Sequence, residues 1–297
     1  MKIIIPKTVD DTTLLSSSVP ADDYPAWTAG DYVTGDRVII GELAYEALTS
    51  TSDDPEVGVT LEPASWLKLG AINKYRMFRG GTDSVTEHSN SDLVVDFQFT
   101  DGLVNSLALF NIVAESVQVV VTDSVEGEVY NTEVQPADYA VGNFYDFFFQ
   151  PYRQKKTFSF TDLPPYIGAT IKVVLKPYTG VPVSCGILTL GKAYTIGSTQ
   201  NGTSVGLRDF TIRERDGFGN LVEGASKRKV KKGEFDILVQ TSEIDRIQDI
   251  FSELDTPAAF LGTDLFDSTR IYGIPLDFNT TFQSNELSEC SLELVGY

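Results

Sequence analysis

The chain has 297 residues, 42 of them acidic and 23 basic, for a net charge of −19 and a pI near 4.3. That balance argues against nucleic acid as a partner, because a phosphate backbone rewards Lys and Arg. No apolar run reaches the roughly 18 residues of a membrane span, and 297 residues at a mean hydropathy of −0.06 suffice for two or three domains with cores of their own. MKIIIP at the start is too short, and too soon interrupted by proline, for a signal peptide, so the chain is expected to fold in a cytosol.

Residues 1–22 read as an arm. Lys2 to Ile5 can form one strand, and the polar stretch from Thr12 to Ser18 is extended. The segment has too little apolar surface for a core, so it either frays or pairs with another element or subunit. Residues 23–72 read as a small β unit. Its turn signals are Gly30-Asp31 and Gly35-Asp36, and Val33, Val38, Ile39 and Ile40 are strand formers. Asp53-Asp54, like Asp10-Asp11, lacks calcium-loop spacing and reads as solvated.

Residues 73–197 read as an antiparallel β-sandwich. The stretch from Met77 to Val121 organises it. Val94, Asp96 and Gln98 alternate with Val95, Phe97 and Phe99, the period-2 pattern of a strand with one apolar face. Leu107 to Ile112 is nearly all apolar, as in a strand covered on both faces. Asn143 to Tyr152 holds six aromatics in ten residues, which suits either a core strand between sheets or a subunit interface. Thr157 to Phe160, Ala169 to Leu175 and Cys185 to Leu190 continue the strand series. Cys185 and Cys290 both sit in apolar strand-like runs and read as small buried side chains without a disulfide.

Residues 198–297 read as an α+β unit. Gly206 to Arg215 reads as a strand with Leu207, Asp209, Thr211 and Arg213 set against Arg208, Phe210, Ile212 and Glu214, and it runs into the turn of Asp216 to Asn220. One helix is expected, with Ser242 as N-cap, Ile244, Ile247, Ile250, Phe251 and Leu254 at 3-4 spacing, and Pro257 beyond its end. Cys290 to Val295 is the final strand, free to pair outward. Lys227, Arg228, Lys231 and Lys232 belong to a basic cluster that contrasts with the acidic background. It is either a solvated hairpin or a contact with an acidic neighbouring subunit. With it, Phe251, Phe260 and Tyr272 are the candidate subunit interface.

No catalytic constellation stands out, so no enzyme activity, catalytic residue, cofactor or metal ligand is expected. His88 is the single histidine and falls in the polar turn from Thr86 to Asn90, where it reads as a surface side chain.

Two resemblances carry a functional expectation. Trp27, Tyr32, the Gly35-Asp36-Arg37-Val38 step, Gly41, Tyr45-Glu46-Ala47 and Trp66 resemble the small chitin- and cellulose-binding modules of carbohydrate-binding families 5 and 12. That likeness makes Trp27, Tyr32, Tyr45 and Trp66 the candidate sugar-binding residues. The family places exposed aromatics just after the Tyr-x-Ala step, whereas Leu48 to Pro55 has none, so the rings fit a core equally well. Trp66 to Phe78, with Phe144 to Phe149, Leu163 to Tyr166 and Asp209 to Gly219, is similar to structural proteins of tailed-bacteriophage tails, and the last hundred residues resemble distal tail proteins in character. These likenesses imply a virion component of the tail tip or baseplate that forms a homo-oligomeric ring or adaptor with other tail proteins. A host-surface glycan adhesin is the alternative.

Overall fold

The structure, a computed structural model, describes residues 1–79, 81, 84–89, 91–138, 144–149, 153–211, 213–215, 217–219, 221–223, 227–263 and 266–297. It is mainly β, with few helices and antiparallel sheets. In chain order, β1 (Lys2–Pro6) and β2 (Leu14–Ser17) precede the small module of β3 (Arg37–Ile40), β4 (Leu43–Ala47), α1 (Pro55–Gly58) and β5 (Trp66–Ala71). After α2 (Asn73–Arg79) come β6 (Thr86–His88), β7 (Leu93–Gln98), β8 (Ser106–Val113), β9 (Ser116–Asp123), β10 (Gly127–Val134), β11 (Ala137–Asp138), α3 (Phe144–Phe149) and β12 (Arg153–Gln154). β13 (Thr157–Phe160), β14 (Thr170–Lys176) and β15 (Val183–Thr195) follow. The last third holds β16 (Ser198–Thr199), β17 (Ser204–Asp209), β18 (Arg213–Arg215), β19 (Leu221–Glu223), β20 (Lys229–Gln240), α4 (Ile244–Ser252), β21 (Ala258–Leu261), β22 (Arg270–Phe282) and β23 (Leu287–Gly296).

The chain divides into two compact units. One is Thr8–Val104 with Leu109–Leu188, and the other is Met1–Lys7 with Asn105–Ala108 and Thr189–Tyr297. In the first unit, β10, β9, β14, β7 and β2 form an antiparallel sheet in that order. Its register stacks apolar rows across three strands. Val119, Val173 and Val95 align, as do Val121, Ile171 and Phe97, and Val117, Leu175 and Leu93. All nine are buried, and burying each such side chain is worth about 1.5–3 kcal/mol. This β-sandwich-like packing follows from the alternation seen in the sequence.

The small module is the three-stranded sheet β3-β4-β5 of the same unit. Its core is Val38, Tyr45, Ala47 and Trp66, with Trp27 and Tyr32 partly buried against it. Gly58 is required there, because a Cβ would lie 2.3 Å from Trp66 Cδ1. α2 follows where the sequence suggested the opening of the sandwich. Asn73 and Thr86 tie that helix to β6: Thr86 Oγ1 donates to the Asn73 carbonyl at 2.6 Å, and Asn73 Oδ1 accepts from the Glu87 N–H at 2.9 Å.

In the second unit the strand order is β15, β1, β21, β22, β23, β20, with β16 and β17 both on the outer edge of β20. The segment expected as an arm is therefore divided: β1 is an interior strand here, while β2 pairs with β7 in the other unit. Ile3 and Ile4 are fully buried. Gly191 lets β15 lie against β1, since a Cβ would come within 1.8 Å of the Ile5 carbonyl oxygen. The helix forms as expected, with Ile244, Ile247 and Ile250 buried among Phe235, Ile237, Ile271 and Leu292. Ser242, however, is not its N-cap. It sits inside a 3-10 turn, Thr241–Glu243, that leads into α4, whose N-cap Glu243 makes no side-chain capping bond.

Two further expectations are corrected. The Cys290 to Val295 strand is not free to pair outward, because β23 lies between β20 and β22 and bonds to both. Phe144 to Phe149 is a short helix rather than a core strand. β11 and β12, which precede and follow it in the chain, pair with each other, and a helix satisfies its backbone hydrogen bonds within itself. Phe144, Tyr145, Phe148 and Phe149 are all exposed. Asn143 and the residues 150–152 of that aromatic run lie outside the described residues. No helix among the described residues is long and apolar enough to cross a membrane.

Candidate assembly surface

The candidate sugar residues sit mainly inside the small module. Trp66 is 1% and Tyr45 4% exposed. The Trp66 indole N–H donates to the Asp53 carbonyl at 3.0 Å, and Tyr32 meets Trp66 edge-on with centroids 5.3 Å apart. The Tyr32 hydroxyl is tied back to the Thr28 backbone, donating to its carbonyl at 2.8 Å. Among the described residues Trp27 Nε1 is buried with no hydrogen-bond partner. A sugar-binding module stacks exposed ring faces on sugar rings. The interior places of Tyr45 and Trp66 remove both from any such platform.

The acidic pairs expected to be solvated have structural partners. Asp53 accepts from Thr51 Oγ1 at 2.7 Å and Ser65 Oγ at 2.8 Å, and these bonds hold its carboxyl below the usual range. Asp54 caps α1 by accepting from the Glu56 N–H at 2.9 Å. Asp10 accepts from the Thr12 hydroxyl at 2.7 Å and from two backbone N–H groups, which lowers it to about 2. The Tyr75 hydroxyl donates to Asp11. His88 lies on strand β6 rather than in a turn, pairs with Val183 of β15, and has Nε2 2.6 Å from Ser91 Oγ. Cys185 and Cys290 are free and buried, and burial pushes both thiols up. Among the described residues no cluster of His, Cys, Asp and Glu could hold a metal ion.

The candidate interface residues separate into two groups. Phe260 is fully buried, Phe251 packs on the same core and stacks near it at 6.4 Å, and Tyr272 is half-buried against Tyr297. Burial lifts the Tyr272 hydroxyl to about 12. Phe260 belongs to the interior of the second unit, so the expectation that it supplies apolar interface area is corrected, while Phe251 and Tyr272 are partly buried. Two of the four cations are also committed within the chain. Lys231 Nζ donates to the carbonyls of Asp267 at 3.3 Å and Arg270 at 3.2 Å, and desolvation lowers its pKa. Lys232 Nζ lies 2.8 Å from Glu234 and 2.9 Å from Glu293, whose hydrogen bonds raise its pKa.

Lys227 and Arg228 are exposed, in the segment just before β20. Across from that segment runs β17, exposed along Ser204 to Arg208 and paired to the first half of β20. Leu207 is 72% exposed, Phe210 43% and Phe218 94%. Arg208 lies over the Phe210 ring at 5.1 Å. Residues 204–232 hold eight basic and four acidic residues, a net +4 on a chain of −19. Further along β20 the sign reverses. Glu234 and Asp236 of β20, Glu289 and Glu293 of β23, and Asp277 of β22 share the solvent face of the sheet, as the register requires. Glu234, Asp236, Asp277 and Glu293 line a shallow groove of about 230 Å³.

The sequence signal for this acidic face was present. Glu234 and Asp236 alternate with Phe235 and Ile237, and Glu289 and Glu293 with Cys290 and Leu292. Which strands lie side by side was not readable from that alternation. Comparison with known protein families, curated proteins and solved structures finds no match to this chain.

Proposed function

We propose that the chain is a structural subunit that assembles with copies of itself, and that it serves in the tail tip or baseplate of a tailed bacteriophage, as the sequence resemblance implies. The observation that carries the self-assembly is β17 with its flanking segment. Among the described residues β17 pairs with β20 alone, at the edge of its sheet, and an exposed edge strand is a template for pairing with another chain. This one also leaves Leu207 and Phe218 in solvent and carries a charge opposite to the rest of the molecule. Such a surface is stabilised by docking on an acidic partner. Copies of this chain are acidic partners present at the same concentration.

The test is the mass and shape of the purified chain. Light scattering and negative-stain microscopy over a concentration series should show a discrete oligomer, and antibodies to the chain should decorate the tail of the phage particle. A chain that stays monomeric at every concentration would remove the self-assembly reading, and undecorated tails would remove the virion reading. A host-glycan adhesin remains the second reading. The exposed rings of Phe144, Tyr145 and Phe149 favour it, with Tyr145 and Phe149 4.8 Å apart, because they offer the open ring faces that the small module lacks.

A further inference from the structure

We infer that the cationic β17 segment of one copy docks on the acidic face of β20, β22 and β23 of the next copy, giving a head-to-tail contact. The inference rests on the self-assembly reading above and names the two surfaces that meet.

Both surfaces have charges left over. Among the described residues, Asp236, Asp277 and Glu289 have no ion-pair partner, and neither do Arg208 and Lys227. The intervening charges are already matched: Lys232 sits between Glu234 and Glu293, and Lys229 lies 3.8 Å from Asp209. The cations and the carboxylates without an ion pair are therefore distinct sets with opposite signs.

One molecule cannot join them. β20 carries both surfaces, its start beside the cations and its later residues in the acidic face. Lys229 and Asp236 are seven residues apart on one extended strand, roughly 23 Å at about 3.3 Å per residue. That separation exceeds the screening length of about 8–10 Å at physiological salt. A paired strand does not fold back on itself, so the two surfaces meet only between copies. Because different patches meet, the contact is heterologous, and repeated copies close a ring or extend a filament. Leu207, beside Arg208 on β17, adds apolar area to a contact whose register the charges set.

The experiment is a charge swap in the full chain. One variant carries Arg208→Glu, Lys227→Glu and Arg228→Glu. The other carries Asp236→Lys, Asp277→Lys and Glu289→Lys. Each alone should lose self-association, with affinity down by about tenfold or more. An equimolar mixture should regain it, because each reversed surface then meets its opposite. Circular dichroism and melting confirm that both variants fold. As a second readout, Leu207→Cys combined with Asn279→Cys should give disulfide-linked multimers under mild oxidation, with little background from the buried Cys185 and Cys290. Wild-type assembly that survives the first variant, or a mixture that stays monomeric with no cross-linking, overturns the docking while leaving self-assembly intact. A wild-type chain that never associates overturns both.

Discussion

At the scale of single residues, Trp66 shows how one aromatic can fit two readings. Its spacing from Tyr45 resembles a sugar-binding module, yet its ring is buried, its N–H is spent on the Asp53 carbonyl, and Gly58 closes against its edge. It therefore acts as the core of a very small sheet, packed with Val38, Tyr45 and Ala47. Trp66→Ala should cost about 3–5 kcal/mol, the range for truncating a buried aromatic, read as a lower melting temperature of the first unit. Trp66→Phe keeps most of the volume and loses the N–H donor, so it should cost less. A Trp66→Ala protein that melts like wild type would show that the ring is not structural.

At the scale of elements, α3 and β20 show how environment decides a segment's role. Three consecutive Phe residues suit a buried strand, but α3 lies between the paired β11 and β12 in the chain, with Phe144, Tyr145, Phe148 and Phe149 exposed. Replacing Phe144 and Phe149 with Ser should change stability by less than about 0.5 kcal/mol, as for surface positions away from special features. It should also lower the binding of a hydrophobic dye such as ANS. A large loss of stability would mean that these rings are covered. β20 makes the opposite point. One strand carries cations at its start and carboxylates further on, and its alternation was legible, whereas the meaning of that charge split depends on β17, β22 and β23 lying beside it.

At the scale of the whole molecule, the units are assembled from separated parts of the chain. A boundary at residue 198 follows a change of texture in the sequence. The compact unit also includes Met1–Lys7, Asn105–Ala108 and the end of β15. β1 contributes two fully buried isoleucines and bonds β15 on one side and β21 on the other. Residues 198–297 expressed alone should therefore lack a cooperative melting transition and bind ANS. The intact chain should melt cooperatively. A folded, cooperatively melting 198–297 fragment would show that β1 and β15 are dispensable.

The sequence by itself determined the class of the fold and the strands whose period-2 alternation separates a wet face from a buried one, such as β7, β14 and β23. It determined α4 as well, because isoleucines at 3-4 spacing can be buried together only on a helix. These are local properties, set by the geometry of one element. The partners of β1 and β23, the exposed helix α3, the interior places of Phe260 and Tyr45, and the acidic face opposed to the β17 cations were decided by tertiary structure. Pairing brings together residues as far apart as Lys2 and Leu261, and no local pattern in a single chain records which strand will lie beside which.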